Sequence, residues 1–187
     1  VFISKSGETI ETLSLAAIIL RKFNNPKNFL VITDNTRSSL GKMAKKYNLR
    51  LVKSKSGIPG RFSVLSINGL LPASMAGICT DELRSGARTA SWQEAYRLAC
   101  QQYHQFKKKK NIVVFFPYGE RLNTFSDWYI QLMSESIGKS RHIGISVIKA
   151  MGVKDQHSQL QLFLDGPPDK FFIFLKEEGP TSDFAIP

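Results

Sequence analysis

The first twelve residues place three hydroxyl side chains around one glycine, directly after a short apolar run. The hydroxyls belong to Ser4, Ser6 and Thr9. A strand that leads through such a turn into a helix offers free backbone N–H groups and the positive end of the helix dipole. Gly7 lets the backbone approach a ligand closely, and Lys5 adds a cation. The segment therefore predicts a turn that binds phosphate.

The patterns on either side of this turn support a strand before it and a helix after it. Residues 1–3 are β-branched and aromatic, and from Thr9 onward apolar residues recur at steps of three and four. A simpler interpretation is that Ser6 caps the helix and Thr9 lies in its first turn, because Ser and Thr are common N-caps. The turn matches neither the Walker A nor the G-x-G-x-x-G pattern, so its residues alone leave both interpretations open.

Strand and helix patterns alternate along the rest of the chain, which predicts an α/β fold with parallel sheets and flanking helices. Continuous apolar runs, as in residues 29–33, are typical of parallel strands buried on both faces. The predicted strands are residues 1–3, 29–33, 49–52, 111–117, 143–148 and 170–175. Ligands of such sheets bind at the carboxyl ends of the strands, and the Ser4–Thr9 turn lies at one of these ends.

Composition limits the classes of protein that fit. The 187 residues are 42% hydrophobic and 22% charged, which is typical of a globular chain. No apolar run reaches the roughly 20 residues of a membrane span. The formal charge of +11 raises the question of nucleic acid, but the densest run, Lys107–Lys110, ends a helical stretch, where cations complement the dipole. We expect neither a nucleic-acid nor a membrane partner.

The two cysteines, Cys79 and Cys100, have neither metal-binding nor redox spacing. We expect reduced thiols that fill the core of a cytoplasmic protein. Residues 181–187 are expected to form an unanchored tail.

Three further segments carry side chains that could do chemistry. Residues 57–61 predict a tight loop that presents Arg61 just before an apolar helix over 62–78. Glu135 lies near the end of a predicted helix, against the dipole preference, so it is either a surface residue or a carboxylate held toward a ligand. Gln131 lies one helical turn earlier on the same face. His157 is a lone histidine, and such a residue is more often structural than catalytic.

Four segments occur in a telling order and together carry a resemblance. They are Ser-Lys-Ser-Gly-Glu-Thr-Ile-Glu-Thr (4–12), Gly-Ile-Pro-Gly-Arg-Phe-Ser (57–63), Ser-Glu-Ser-Ile-Gly-Lys (134–139) and Asp-Gln-His-Ser-Gln-Leu-Gln-Leu-Phe-Leu-Asp-Gly-Pro (155–167). The chain closely resembles the glucose-6-phosphate isomerases of the bacterial type, which are phosphosugar isomerases built from two sugar-isomerase (SIS) domains. The resemblance implies a flavodoxin-like SIS fold in two subdomains, residues 1–80 and an incomplete 81–187.

The resemblance also implies a function, namely aldose–ketose isomerisation between glucose 6-phosphate and fructose 6-phosphate through a cis-enediol, without metal or cofactor. It makes Glu135 the base that moves a proton between C2 and C1, His157 the ring-opening acid/base, and Arg61 the group that stabilises charge on the sugar oxygens. The residues it implies for binding the phosphate are Ser4, Lys5, Ser6 and Thr9, and those for contacting the sugar are Gly60 and Gln131. The family usually has Asn at the position of Ile137.

In this family the ring-opening histidine reaches the site from the other subunit of a homodimer. Family members also carry a longer N-terminal portion with another phosphate-contacting serine, and a C-terminal segment with an active-site lysine. The chain is therefore expected to be a fragment that is inactive alone. Two other classes stay open: a SIS module that binds phosphosugars without converting them, and a basic nucleic-acid-binding protein, whose test is steeply salt-dependent binding.

Overall fold

The chain forms two compact α/β units, seen here in a computed structural model that describes residues 1–23 and 25–177. The first unit is Val1–Ala90 and the second begins at Ser91, ten residues after the boundary expected from the sequence. The difference arises because the helix Thr80–Thr89 belongs to the first unit. The tail expected over residues 181–187 lies outside the described residues. Within the described ranges, no helix is long and apolar enough to cross a membrane.

The first unit contains a three-stranded parallel sheet in the order β1-β2-β3. Its strands are β1 (Phe2–Ile3), β2 (Leu30–Thr33) and β3 (Arg50–Lys53). Its helices are α1 (Ile10–Lys22), α2 (Ser39–Lys46), α3 (Ile67–Met75) and α4 (Thr80–Thr89). As predicted, the apolar run of β2 is buried on both faces, since Val31 and Ile32 both have no exposed surface.

One face of this sheet packs against α1 and α2. Val31 lies in a cluster with Ala16 of α1 and Leu40 of α2, all with no exposed surface. Phe2 belongs to the same cluster and stacks on Phe29 at 5.6 Å between ring centroids. Burial of this apolar surface holds both helices against the strands and so fixes the turn between β1 and α1.

The second unit contains a three-stranded parallel sheet in the order β5-β4-β6. Its strands are β4 (Ile112–Tyr118), β5 (Ser146–Lys149) and β6 (Lys170–Lys176). Its helices are α5 (Trp92–Lys107), α6 (Asn123–Ile137), α7 (Lys154–Ser158) and α8 (Leu160–Asp165). The predicted α/β class, with parallel sheets and flanking helices, is therefore confirmed in both units.

Helix α6 is the crossover between β4 and its parallel neighbour β5, so it runs antiparallel to the strands. At its start, Lys149 Nζ at the carboxyl end of β5 donates to Asn123 Oδ1 and Asp127 Oδ1, both at 2.6 Å. Along its length, Tyr129 stacks on Phe115 of β4 at 4.3 Å between ring centroids. The end of α6 therefore lies at the amino edge of the sheet.

Two expectations about local structure were wrong. The helix expected over 62–78 is a 3-10 turn, Gly60–Phe62, followed by the shorter α3. Serines separate the two, because Ser63 Oγ donates back to the Gly60 carbonyl and Ser66 caps α3. Cys79 and Cys100 are free but exposed rather than core-filling.

Candidate active site

The turn between β1 and α1 is held by hydrogen bonds among its own hydroxyls and amides. Ser4 is buried, and its Oγ lies 2.8 Å from Thr9 Oγ1 and accepts from the Gly7 N–H at 3.0 Å. Ser6 is exposed, and its Oγ accepts from the Glu8 N–H at 3.2 Å. The three predicted phosphate-binding hydroxyls are thus brought together in one preorganised loop.

The capping alternative for this turn is wrong. Helix α1 begins at Ile10 with Thr9 at the N-cap position, and the Thr9 side chain makes no capping hydrogen bond. Ser6 therefore does not cap the helix. The first intrahelical bond runs from the Leu13 N–H to the Thr9 carbonyl, so the amides of residues 10–12 depend on solvent or a ligand for partners.

The hydroxyls also keep protons for a ligand. Each serine or threonine hydroxyl has one hydrogen to donate, and a bond between Ser4 and Thr9 uses one of their two. Because Ser4 is buried and Thr9 is exposed, donation by Ser4 leaves the Thr9 hydrogen directed to the open side. The hydrogen of Ser6 is not used when its oxygen accepts from Glu8. Two hydroxyl donors and the helix amides together form an anion-binding arrangement.

Gly7 fits this turn for two separate reasons. Its φ is +73°, a left-handed conformation that side chains disfavour. An added Cβ would also lie 1.9 Å from Ser38 Oγ and 3.0 Å from Thr33 Oγ1. The Gly7 carbonyl accepts from the Leu40 N–H at 3.0 Å, which joins the turn to the first residues of α2.

Glu8 is a positioning residue of this turn that the sequence analysis missed. Its Oε1 accepts from the Ser39 N–H at 2.9 Å, at the first residue of α2. Hydrogen bonds from the side chain and backbone of Ser39, with the charge of Lys42, lower the pKa of this carboxyl. Ser38 and Ser39 before an apolar position indicate a helix start, but only the fold brings Glu8 to it.

Lys5 has a structural partner as well as its predicted role. Its Nζ donates to Asp34 Oδ2 at 3.0 Å and to the Lys55 carbonyl at 3.2 Å. Its backbone carbonyl accepts from the Thr33 hydroxyl and the Asp34 N–H, both at 3.1 Å. Lys5 thus ties the turn to the ends of the neighbouring strands, and phosphate binding by its ammonium group stays a prediction.

Arg61 lies in the 3-10 turn that follows the carboxyl end of β3. It is half-buried, and its guanidinium lies 4.9 Å from the ring centroid of Phe62. Gly60 has open space where a Cβ would be. The chain passes from the carboxyl edge of the first sheet directly into this turn, as the predicted role of Arg61 requires.

Glu135 lies in the last turn of α6, and its side chain is exposed. Gln131, one turn earlier, donates from Nε2 to Glu135 Oε1 at 2.9 Å. The helix ends at Ile137 with Gly138 as C-cap, and Lys139 Nζ donates to the Glu135 carbonyl at 3.2 Å. The two predicted residues of this segment are therefore in direct contact, with the amide orienting the carboxylate.

His157 is exposed on the short helix α7, just after the carboxyl end of β5. Asp155 holds this segment, because its Oδ2 accepts from the Met151 N–H at 2.7 Å and its Oδ1 accepts from Ser158 Oγ at 3.1 Å. The bond from Met151 is the main cause of the lowered pKa of Asp155. Gln156 is fixed as well, since Tyr118 donates its hydroxyl proton to Gln156 Oε1 at 2.6 Å.

Within the second unit, Glu135 and His157 lie at opposite edges of one sheet. Glu135 is at the amino edge, where α6 ends, and His157 follows the carboxyl edge of β5. The thirteen helical residues from Asn123 to Glu135 alone span about 18 Å. The fold therefore does not bring these two side chains together in a single unit.

No metal centre is defined by the residues that the structure describes. Among them, no three His, Cys, Asp or Glu side chains are grouped closely enough to hold an ion.

The class of protein defined so far is an α/β protein with an anion-binding turn at the carboxyl edge of a parallel sheet. Comparison with known proteins identifies the family. The chain is 35% identical over 207 residues to glucose-6-phosphate isomerase of Carboxydothermus hydrogenoformans, covering 99% of this chain and 45% of the relative. It is 37% identical to that of Methanocaldococcus jannaschii, covering 92% and 46%. The chain is thus homologous to the glucose-6-phosphate isomerases, and the resemblance is confirmed.

The solved structures agree with this result. The crystal structure of a hypothetical protein from Thermus thermophilus is 35% identical, with a TM-score of 0.83, and covers 100% of this chain and 49% of that one. No family model matches the chain. The chain spans about half the length of the curated relatives it matches.

Proposed function

We propose that this chain is part of an enzyme that interconverts glucose 6-phosphate and fructose 6-phosphate in the cytoplasm. The observation that carries the proposal is the homology, which extends over nearly the whole chain to proteins named for this reaction. The substrate is an anionic sugar phosphate, and the basic chain raises its local concentration. No metal or redox cofactor takes part in the proposed reaction.

The phosphate binds to the turn between β1 and α1. The donors are the hydroxyls of Ser6 and Thr9 and the amides at the start of α1, with Ser4 holding the hydroxyls in place. Lys5 adds positive charge while it bridges Asp34 and the Lys55 carbonyl. Binding energy from this remote group positions the sugar carbons for reaction.

Glu135 is the base of the isomerisation. Its carboxylate removes the proton from C2 of the open-chain aldose, the C1 carbonyl oxygen gains a proton, and a cis-enediol forms. Return of the proton to C1 and loss of the O2 proton give the ketose, so C2 is oxidised as C1 is reduced. Gln131 directs the carboxylate through its hydrogen bond at 2.9 Å. Arg61, which stays protonated, stabilises the negative charge of the intermediate.

His157 opens the sugar ring by moving a proton between O5 and O1, and it does so in the site of a second subunit. The position of His157 at the opposite edge of the sheet from Glu135 supports this assignment, because one unit cannot supply both groups to one substrate. A homodimer with two shared sites follows from it. Gly60, where the chain leaves open space, is proposed to let the sugar approach the backbone.

The test is a coupled assay that follows conversion of fructose 6-phosphate, together with deuterium uptake at C1 in D2O, which reports the base directly. Glu135→Gln should reduce both by at least about 10²–10⁴-fold, the typical contribution of a positioned general base. Glu94→Gln is the matched control, since Glu94 is also an exposed helical glutamate of the second unit, and it should leave both rates unchanged.

Binding should separate the base from the phosphate site. Glu135→Gln should keep the affinity for fructose 6-phosphate, whereas Ser6→Ala should weaken it. If the chain binds fructose 6-phosphate but shows neither turnover nor C1 exchange, with or without Glu135, the non-catalytic phosphosugar-binding module is the better description. If the deuterium exchange survives in Glu135→Gln, another residue is the base.

A further inference from the structure

We propose a second anion-binding site in this protein, at the amino edge of the second sheet, for a nucleoside di- or triphosphate. A cleft of about 540 Å³ opens there between the end of α5 and the loop that precedes β5. The basic side chains that line it are Lys107, Lys109, Arg141 and His142. Asn111, Ser140 and Ser146 supply further polar groups. No carboxylate lines the cleft.

The charges of this cleft are not used by the protein itself. Among the described residues, none of Lys107, Lys109 and Arg141 takes part in an ion pair. The lysines are not needed to cap α5 either, because its last carbonyls accept backbone N–H bonds from residues 108–110. Like charges that converge without a counter-ion repel one another, and an anion in the cleft relieves that repulsion.

A second, apolar groove of about 380 Å³ adjoins the cleft. Both are lined by Phe106 and by residues 143–145, so they form one continuous surface. Tyr103, Met133 and Ile137 complete the groove, and the Tyr103 side chain is 63% exposed. Gln102 is the polar residue of the groove, and its Oε1 accepts from the Tyr129 hydroxyl at 3.3 Å. Its amide group can then donate to a ligand.

The combined surface matches a phosphorylated ligand with a flat apolar ring. Arginine and lysine are the usual partners of phosphate oxygens, and a base stacks on an exposed aromatic ring such as Tyr103. Each cavity falls in the range of roughly 300–1,000 Å³ typical of small-molecule sites. An amphipathic helix would instead need a longer groove for anchors spread over two turns. We therefore assign the surface to a nucleotide.

This site is distinct from the proposed sugar-phosphate site. None of the residues assigned to the substrate phosphate, to the ring-opening step or to the proton transfer lines either cavity. The inference therefore holds or fails independently of the isomerase proposal.

The test is isothermal titration of the 187-residue chain with ATP at about 100 mM salt, without divalent cations. The double variant Lys107→Gln/Arg141→Gln should weaken ATP binding by at least about tenfold, because it removes two charged donors. Lys45→Gln/Lys46→Gln is the matched control: it removes two exposed lysines at the end of another helix, α2. Its affinity should stay within about twofold of the original chain, the size of effect expected from screened surface charge.

The apolar groove is tested separately. Tyr103→Ser should weaken ATP binding by about fivefold or more, since base stacking on an aromatic ring is lost. The same variant should not change binding of inorganic tripolyphosphate. Fructose 6-phosphate at saturation should not displace ATP.

Four results would overturn the inference. They are no ATP binding, equal affinity for ATP and tripolyphosphate, displacement of ATP by fructose 6-phosphate, and equal losses in the α2 control. A single-stranded oligonucleotide that binds far more tightly than ATP and loses affinity in the double variant would identify the surface as a nucleic-acid site instead.

Discussion

The phosphate turn of the first unit and the end of α6 in the second differ in how much protein fixes them. Ser4 and Gly7 are buried, and the hydrogen bonds around them connect β1, α1 and α2. Glu135 and Gln131 are exposed, and their side chains are held by a bond to each other. The part of the site that binds the constant phosphate is thus complete within one unit, whereas the proton-transfer groups await a further surface.

This contrast has a physical reason. A phosphate site needs several donors in fixed positions, and a rigid turn between buried elements supplies them without reorganisation. A carboxylate base must reach a carbon atom of the bound sugar, so it has to project from its own unit. Substitutions in the turn should therefore change stability and binding together, whereas those at the end of α6 should change activity alone.

The largest effect on stability is expected from Gly7→Ala. The left-handed φ costs about 1–2 kcal/mol for a residue with a Cβ, and the clash with Ser38 adds about 1–3 kcal/mol of overpacking. We expect a loss of about 2–4 kcal/mol in the free energy of unfolding, measured by urea denaturation. Gly60→Ala is the control, because nothing lies within 4 Å of its added Cβ. Equal losses in both variants would contradict the packing described for Gly7.

A smaller but still clear loss is expected from Ser4→Ala. The substitution removes the partner of Thr9 Oγ1 and of the Gly7 N–H, both near the buried end of the turn. The loss of unfolding free energy should be about 1–3 kcal/mol, and fructose 6-phosphate should bind more weakly by calorimetry. Ser6→Ala, at an exposed position, should weaken binding while the stability changes by less than about 0.5 kcal/mol. A stability loss in Ser6→Ala as large as in Ser4→Ala would remove the distinction.

Asp155→Asn should lower stability by less than about 1 kcal/mol, because solvent screens an exposed carboxylate. The sign of its pH dependence follows from the lowered pKa in the folded state. A depressed folded pKa gives stabilisation that is present above the unfolded value of about 3.9 and is lost as the pH falls through the folded pKa. Urea denaturation of both proteins should show a constant difference from about pH 7 to about 5, which shrinks below about 4. A difference that grows on acidification would refute the assignment.

The smallest effect on stability is expected from Gln131→Ala. The bond it removes joins two exposed side chains, so the free energy of unfolding should change by less than about 0.5 kcal/mol. Turnover should nonetheless fall, because the Glu135 carboxylate loses the group that orients it. Gln131→Glu, which places a like charge beside Glu135, should reduce turnover further. Unchanged turnover in both variants would show that the hydrogen bond has no role in positioning the base.

Local patterns were sufficient to predict much of the fold. The apolar runs of β2 and β4 were recognisable because strands buried on both faces need apolar side chains throughout. The turn at residues 4–9 was recognisable for a similar reason, since its hydroxyls and glycine are adjacent in the chain and α1 begins directly after it. The helix expected over 62–78 failed because capping serines interrupt an otherwise apolar stretch.

Residues close in the chain set the chemistry of the candidate site, because strand, turn, cap and helix periodicity all depend on neighbours within a few positions. Contacts between distant segments depended on the tertiary structure. Lys5 meets Asp34 across 29 positions, and Glu8 meets Ser39 across 31. The separation of Glu135 from His157 by the width of a sheet likewise follows from the crossover through α6. Such contacts arise only when burial of apolar surface packs whole elements together, a condition that no short stretch of sequence contains.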